Sequence, residues 1–279
     1  EDPIKLGPNV GLPPLASRTH ETELMHLLLL GCTGFVGKEL VPQLLQAGHQ
    51  LTLVSRRPSP AAFPAETAQS LQWIQADPAL ASSWAASTPL HDALNASDGV
   101  VNLAGEPIAE QRWTAQHLET LQESRLGTTR HLVSALATLT KPPSVLVNAS
   151  AVGYFGTSSD QRFEESSPAG ADFLARLCQQ WEQAAAEKPA ATRLVVLRIG
   201  IGLSSEGGAL AKMLPVFRAG FGGPIGSGQQ WMSWIERGDL CRIIQSSLES
   251  ESWSGVINAV APDPVTMAAF AGSLGRCLG

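Results

Sequence analysis

Three glycines do most to restrict what this chain can fold into. Gly31-Cys32-Thr33-Gly34-Phe35-Val36-Gly37 has the spacing G-x-x-G-x-x-G. It follows the apolar run His26 to Leu30, which suits a fully buried parallel strand. It precedes Lys38 to Ala47, where Leu40, Val41, Leu44 and Leu45 recur at helical spacing and Gly48 supplies a stop. Strand, glycine turn and helix in that order form the context in which such a triplet binds a pyrophosphate. The first glycine permits the tight turn, the second lets backbone N–H groups approach the phosphates, and the third allows close helix–strand packing. The helix N-terminus then favours the negative charge.

The rest of the chain repeats this alternation. Further strands are predicted at Gln50 to Ser55, Gly99 to Leu103, Val145 to Ala149 and Leu194 to Ile199. Helices are predicted over Thr114 to Leu139, in one or two pieces, and over Phe173 to Ala186. Such alternation implies an α/β fold with a Rossmann-type, doubly wound parallel sheet. Residues 25–201 make up this layer, and 202–279 form a small C-terminal substrate lobe. Within that lobe, residues 207–234 carry seven glycines from Gly207 to Gly228, followed by Trp231 and Trp234. This reads either as a pocket lining with an aromatic wall or as a packed surface loop. Residues 1–24 hold Pro3, Pro8, Pro13 and Pro14 without periodicity and read as an extension or tail outside the core.

The end of the second strand decides between two dinucleotides. Ser55-Arg56-Arg57 stands where an acid would hold a ribose 2′-hydroxyl. Guanidinium groups there favour a 2′-phosphate, so the expected cofactor is NADP. Asn102-Leu103-Ala104-Gly105 ends a later strand with small residues that let the chain pass close beneath a ribose. Asp77 reads as a solvated loop acid, with the adenine amino group as the alternative partner.

Composition excludes some classes. The net charge of −6 leaves no basic excess for neutralising a nucleic-acid backbone. No apolar run approaches the ~20 residues of a membrane span. Cys32, Cys178, Cys241 and Cys277 form no C-x-x-C pair and read as reduced, mostly buried thiols, which suits a cytoplasmic compartment. The plastid stroma is the alternative.

Several segments together resemble the atypical extended short-chain dehydrogenase/reductases of the NAD-dependent epimerase/dehydratase superfamily. The branch is that of the epimerase family proteins, also called SulA-like. The segments are Gly31 to Gly37, Ser55-Arg56, Asn102 to Pro107, Arg112-Trp113, Ser124-Arg125, Ala149 to Gly156, Phe173 to Ala175 with Trp181-Glu182, and Gly220 to Trp234. The resemblance runs from Met25 to the C-terminus. It implies cofactor contacts from Thr33, Gly34, Phe35, Val36, Ser55, Arg56, Leu103, Ala104 and Arg125. In two respects the chain departs from the branch. The branch usually continues past this point, whereas the chain stops inside a predicted helix at Cys277-Leu278-Gly279, so part of the lobe is expected to be missing. Glu236 and Arg237 stand where the branch more often has a histidine and an apolar residue.

The wider superfamily uses Tyr-x-x-x-Lys, the lysine making the tyrosine acidic enough to exchange a proton. With Glu182 as anchor, Leu174 holds the tyrosine place and Cys178 the lysine place. The remaining catalytic candidates are Ser150 and Tyr154, the only tyrosine in the chain. Two functions stay open. One is an NADP(H)-dependent epimerase-like oxidoreductase with an unknown small-molecule substrate and a different proton donor. The other is a catalytically retired cofactor-binding protein that senses or partners another protein, in cell or plastid division for instance.

Overall fold

The computed structural model describes residues 23–58 and 63–278. The tail expected over residues 1–24 lies outside the described residues up to position 22. In chain order the elements are β1 (His26–Leu30), α1 (Gly37–Gln46), β2 (Gln50–Ser55), α2 (Ala65–Gln69), β3 (Leu71–Gln75), α3 (Pro89–Asn95), β4 (Gly99–Asn102) and α4 (Ala115–Leu136). There follow β5 (Val145–Ala151), α5 (Phe173–Ala186), β6 (Arg193–Ile199), β7 (Ile201–Ser204), α6 (Gly208–Arg218) and β8 (Trp231–Met232). The chain continues through β9 (Trp234–Glu236), α7 (Arg237–Glu249), β10 (Gly255–Ala259), β11 (Val265–Thr266) and α8 (Met267–Leu278).

Seven strands form one parallel sheet in the order β10-β6-β5-β4-β1-β2-β3. The chain runs outward from β1 through β2 to β3, then crosses back to β4 and runs the other way. That reversal opens a crevice above the C-terminal ends of β1 and β4, where open α/β sheets bind their ligands. The fold is the Rossmann-type α/β arrangement expected.

Both faces of the sheet are covered, which is why β1 reads as an unbroken apolar run. Leu27 and Leu29 face a core built with Leu40, Val41 and Leu44 of α1 and Leu240 and Ile244 of α7. Leu28 and Leu30 face the opposite core, with Leu90 and Leu94 of α3 and Leu132 and Leu136 of α4. Each such leucine contributes about 1.5–3 kcal/mol by leaving water.

The structure corrects several boundaries. The Thr114 to Leu139 region is one helix, capped by Thr114 Oγ1, which accepts from His117 N at 3.2 Å. The stretch from Gly207 is not one continuous loop. Good helix formers after Gly208 build α6, and the exposed loop begins past Arg218. The sheet also runs past residue 201: β10 pairs in parallel with β6, and α7 packs on the sheet. The remaining lobe is two small sheets, β7 with β9 and β8 with β11, beside α6 and α8. Among the described residues no helix is long and apolar enough to cross a membrane.

All four cysteines are free; Cys32, Cys178 and Cys241 are buried and Cys277 is exposed. Burial, reinforced by Cys241, pushes the Cys32 thiol far up. Burial first and Glu39 second push Cys241 up to about 12. Because the thiolate is the reactive form, a disulfide reagent such as DTNB is expected to label the native protein rapidly at Cys277 alone. Cys277→Ser should remove that fast phase, and unfolding should expose the buried thiols. Fast labelling of the Cys277→Ser variant would contradict the burial.

Candidate functional site

The end of β1 is where backbone meets backbone. Gly31 has φ +74°, and a Cβ there would lie 2.5 Å from Ala104 N. A Cβ on Gly37 would lie 1.8 Å from Cys32 O, so α1 starts against the turn itself. Gly34 differs: among the described residues beyond its chain neighbours, the one atom within 4 Å of its Cβ position is Gly31 O, at 3.9 Å. It faces open space that any side chain would fill. Beside it, the backbone N–H groups of Gly34, Phe35 and Val36 have no acceptor among the described residues. Open space plus orphaned donors at the start of α1 fits a pyrophosphate.

A cleft of about 590 Å³ opens above this turn. Its walls bring together Gly31, Thr33, Gly34, Ser55, Arg56, Arg57, Leu103 and Ala104. Four carboxylates, from Asp77, Glu106, Glu119 and Glu123, share the wall with the two arginines. Asp77 Oδ1 accepts from Ala79 N at 3.0 Å, so one of its oxygens already closes a local turn. The Arg56 side chain is largely exposed, and its Nη2 stands 3.9 Å from Glu106 Oε2. Since β2 and β4 flank β1, this loose pair reaches across the mouth of the crevice.

The other expected cofactor residues do not line the cleft. Gly37 and Val36 sit at the root of α1, and the ring of Phe35 turns toward the second lobe. Arg125 is buried under the loop after β4, where Nη2 donates to Glu106 O at 2.9 Å and Nη1 to Leu121 O at 3.1 Å. Ser124 Oγ accepts from Glu106 N at 3.0 Å. Ser124 and Arg125 thus clamp both backbone groups of Glu106 and shape the cleft wall from behind. A second buried set supports the same loop: Asn102 Oδ1 accepts from Ala104 N at 3.2 Å, while Nδ2 donates to Asn148 Oδ1 at 2.7 Å and Thr129 Oγ1 at 3.0 Å.

Ser150 and Tyr154 lie one strand over, at and just past the end of β5. Ser150 Oγ donates to Glu182 Oε1 at 2.6 Å. Arg198 of β6 grips the same carboxylate, Nε to Oε1 at 2.9 Å and Nη2 to Oε2 at 2.8 Å. Its guanidinium also stacks on Tyr154, with Cζ 3.4 Å from the ring centroid. Burial opposes the charge on Arg198, but the Glu182 hydrogen bonds and charge prevail and hold its pKa above the ordinary value. Leu174 packs over Gly153, and the Cys178 thiol sits beside Ser150 and Ala151. Burial raises that thiol despite both hydrogen bonds, so it is held as a neutral thiol. Glu182 entered the sequence reading only as an anchor, and Arg198 was missed. An arginine inside the apolar strand Arg193–Ile199 was the available signal, because such a charge requires a buried partner.

The Gly- and Trp-rich stretch is split between the two readings. Trp231 is half exposed and anchored by Nε1 to Ser159 O at 2.9 Å, so it covers the loop after β5. Trp234 Nε1 donates to Asp263 O at 3.1 Å, away from the cleft. Glu236 caps α7, its Oε2 accepting from Asp239 N at 3.0 Å.

Removing Glu182 would strand a buried guanidinium. Glu182→Ala is expected to cost about 3–5 kcal/mol of unfolding free energy in urea melts, the usual cost of orphaning one member of a buried pair. A loss below about 1 kcal/mol would mean that Arg198 is not held by this carboxylate.

Comparison with known proteins agrees with this geometry. The pattern of the NAD dependent epimerase/dehydratase family matches residues 27–259. The Arabidopsis thaliana "Epimerase family protein SDR39U1 homolog, chloroplastic" is 38% identical over 268 residues, covering 95% of this chain and 74% of that protein. The human epimerase family protein SDR39U1 is 40% identical over 258 residues, covering 91% and 81%. The crystal structure of human SDR39U1 (isoform2) with NADPH superposes with a TM-score of 0.79 at 38% identity, covering 91% of this chain and 80% of that one.

Proposed function

This chain belongs to the NAD dependent epimerase/dehydratase family, and from that premise we propose that it is an NADP(H)-dependent, epimerase-like oxidoreductase acting on a small molecule. The cofactor is NADP(H). One observation carries this reading: the cleft joins Ser55, Arg56 and Arg57 to the orphaned donors of the glycine turn. A phosphate at Arg56 would replace a loose 3.9 Å contact with Glu106 by charge-assisted hydrogen bonds. The human relative solved with NADPH supports the same choice. When bound, the cofactor would supply the hydride.

The chain's own residues handle the proton differently from the wider superfamily. Leu174 has no ionisable group, and Cys178 is a neutral thiol. Ser150 donates its hydrogen bond to Glu182, so its oxygen is left to accept from a substrate hydroxyl. Tyr154 brings the only phenol, beside the Arg198 guanidinium. We therefore assign the donor role to Tyr154 and the orienting role to Ser150. A second reading, cofactor binding without turnover, is favoured by the commitment of the Ser150 hydroxyl and the Arg198 guanidinium to Glu182. In that case the partner would be a protein. The compartment we propose is the cytoplasm; the plastid stroma is the alternative, in keeping with the chloroplastic relative.

Titration with both dinucleotides tests the cofactor assignment. NADPH is expected to bind more tightly than NADH by on the order of tenfold to a hundredfold, and Arg56→Ala should remove most of that preference. Equal affinities in the unmodified chain would refute it. Oxidation of NADPH against a carbonyl panel separates the two functional readings: turnover that falls on Tyr154→Phe supports the enzyme, and binding without any turnover supports the second.

A further inference from the structure

Phe35 stands in the middle of the glycine turn, yet its ring is held by the second lobe. A Cβ on Gly202 would come 2.9 Å from Phe35 Cε1, and one on Gly207 would come 2.8 Å from Cδ2. A Cβ on Gly208 would come 3.2 Å from Cζ. Glycines therefore border both edges and the tip of the ring. Arg237 covers the ring, with Cζ 5.3 Å from the centroid.

Arg237 is itself fixed. It is only 6% exposed, and Nε donates to Glu39 Oε2 at 2.5 Å while Nη2 donates to Glu206 Oε2 at 2.6 Å. Glu39 lies in the first turn of α1, the helix that the glycine turn opens. The ring, partly exposed, is thus held between Arg237 on one face and the glycine backbones at its edges, so a methyl group added there must displace it. Its main chain carries one of the orphaned N–H groups of the turn, flanked by those of Gly34 and Val36. Hydrogen bonds to phosphate weaken steeply with distance and angle. A shift of a few tenths of an ångström in the ring therefore re-aims the donors.

We propose that Gly202 and Gly207 of the second lobe, together with Arg237 at the start of α7, are positioning residues for the cofactor, acting through Phe35 although none of them lines the dinucleotide cleft. The inference rests on the reading that the glycine turn holds NADP(H). It gives the glycines at the start of the second lobe a packing reason: they form a socket. By reciprocity of binding free energies, whatever draws β7 and α6 away from Phe35 weakens cofactor binding, and cofactor binding steadies β7 and α6.

Gly207 offers a clean test. Its backbone is fully extended, with φ 177° and ψ −173°, so alanine adds a methyl group without backbone strain. Calorimetric titration of the full chain with NADPH is the readout, with circular dichroism confirming the fold. Gly207→Ala and Gly202→Ala are each expected to weaken NADPH by about tenfold, the effect of spoiling one hydrogen bond to a charged group. In a Phe35→Leu background, where the ring edges are gone, Gly207→Ala should change affinity by less than about twofold, as a coupled pair requires. If both glycine variants fail to fold, Arg237→Lys decides, since it keeps the charge but loses the flat cover of the ring; the same weakening is expected. Unchanged affinity in the single variants would overturn the proposal. So would an equal loss from Gly207→Ala with and without the Phe35 ring. A wild-type chain that binds no NADPH would instead overturn the cofactor reading beneath it.

Discussion

Everything in the site depends on how closely three backbone segments meet at the end of β1. Gly31 lies against the end of β4, and Gly37 lies against the carbonyl of Cys32. No side chain fits at either contact. The first sets the width of the crevice between β1 and β4, and the second aims the start of α1 into it. Once both are in place, the orphaned donors of the turn, the small residues Leu103 to Gly105 and the basic end of β2 share one cleft. The surrounding network maintains those contacts. Asn102 bonds the backbone beyond β4, and Ser124 and Arg125 clamp Glu106 from below. Phe35 ties the turn to the second lobe.

A second constraint shapes the neighbouring strand end. Arg198 is buried in β6, and burying an unpaired guanidinium would be prohibitive. Glu182 answers it with two hydrogen bonds, and its carboxylate also receives the Ser150 hydroxyl. The residues at the usual tyrosine and lysine places, Leu174 and Cys178, pack into this arrangement as apolar or neutral groups. What was lost in proton-transfer chemistry at those places is accompanied by a fixed ion pair that holds both Ser150 and Tyr154. Whether such an array turns over is a matter of proton supply, because the hydride chemistry resides in the cofactor.

Much of this was readable from the sequence, for physical reasons. β1, β2, β4, β5 and β6 are covered on both faces or nearly so, and burial on both faces leaves short runs dominated by apolar residues. The glycine spacing reports backbone approach directly, so the turn from Gly31 to Gly37 could be named in advance, whereas Leu103 and Ala104 were expected from the family resemblance. The two edge strands were not recognised. β3 mixes Leu71 and Trp73 with Gln72 and Gln75, and β10 is only partly buried, so neither carries a clear apolar signature. α6 was hidden because glycine marks both loops and helix starts. Long-range partnerships were the least visible. Arg198 meets Glu182 only because β6 pairs with β5, and Arg237 meets Glu39 across 198 positions. Arg125 was expected as a cofactor contact only from the family resemblance, and a position match cannot tell a cleft-facing cation from one folded beneath the cleft wall.

The proposed dinucleotide lies across the end of β1 with its 2′-phosphate at the end of β2. Amide hydrogen exchange with and without NADPH addresses this placement directly. Slowed exchange is expected at residues 33–37 and 55–57, with little change along α3. No protection at the glycine turn under saturating NADPH, or protection confined to the separate pocket lined by Trp234, Arg242 and Trp253, would contradict it.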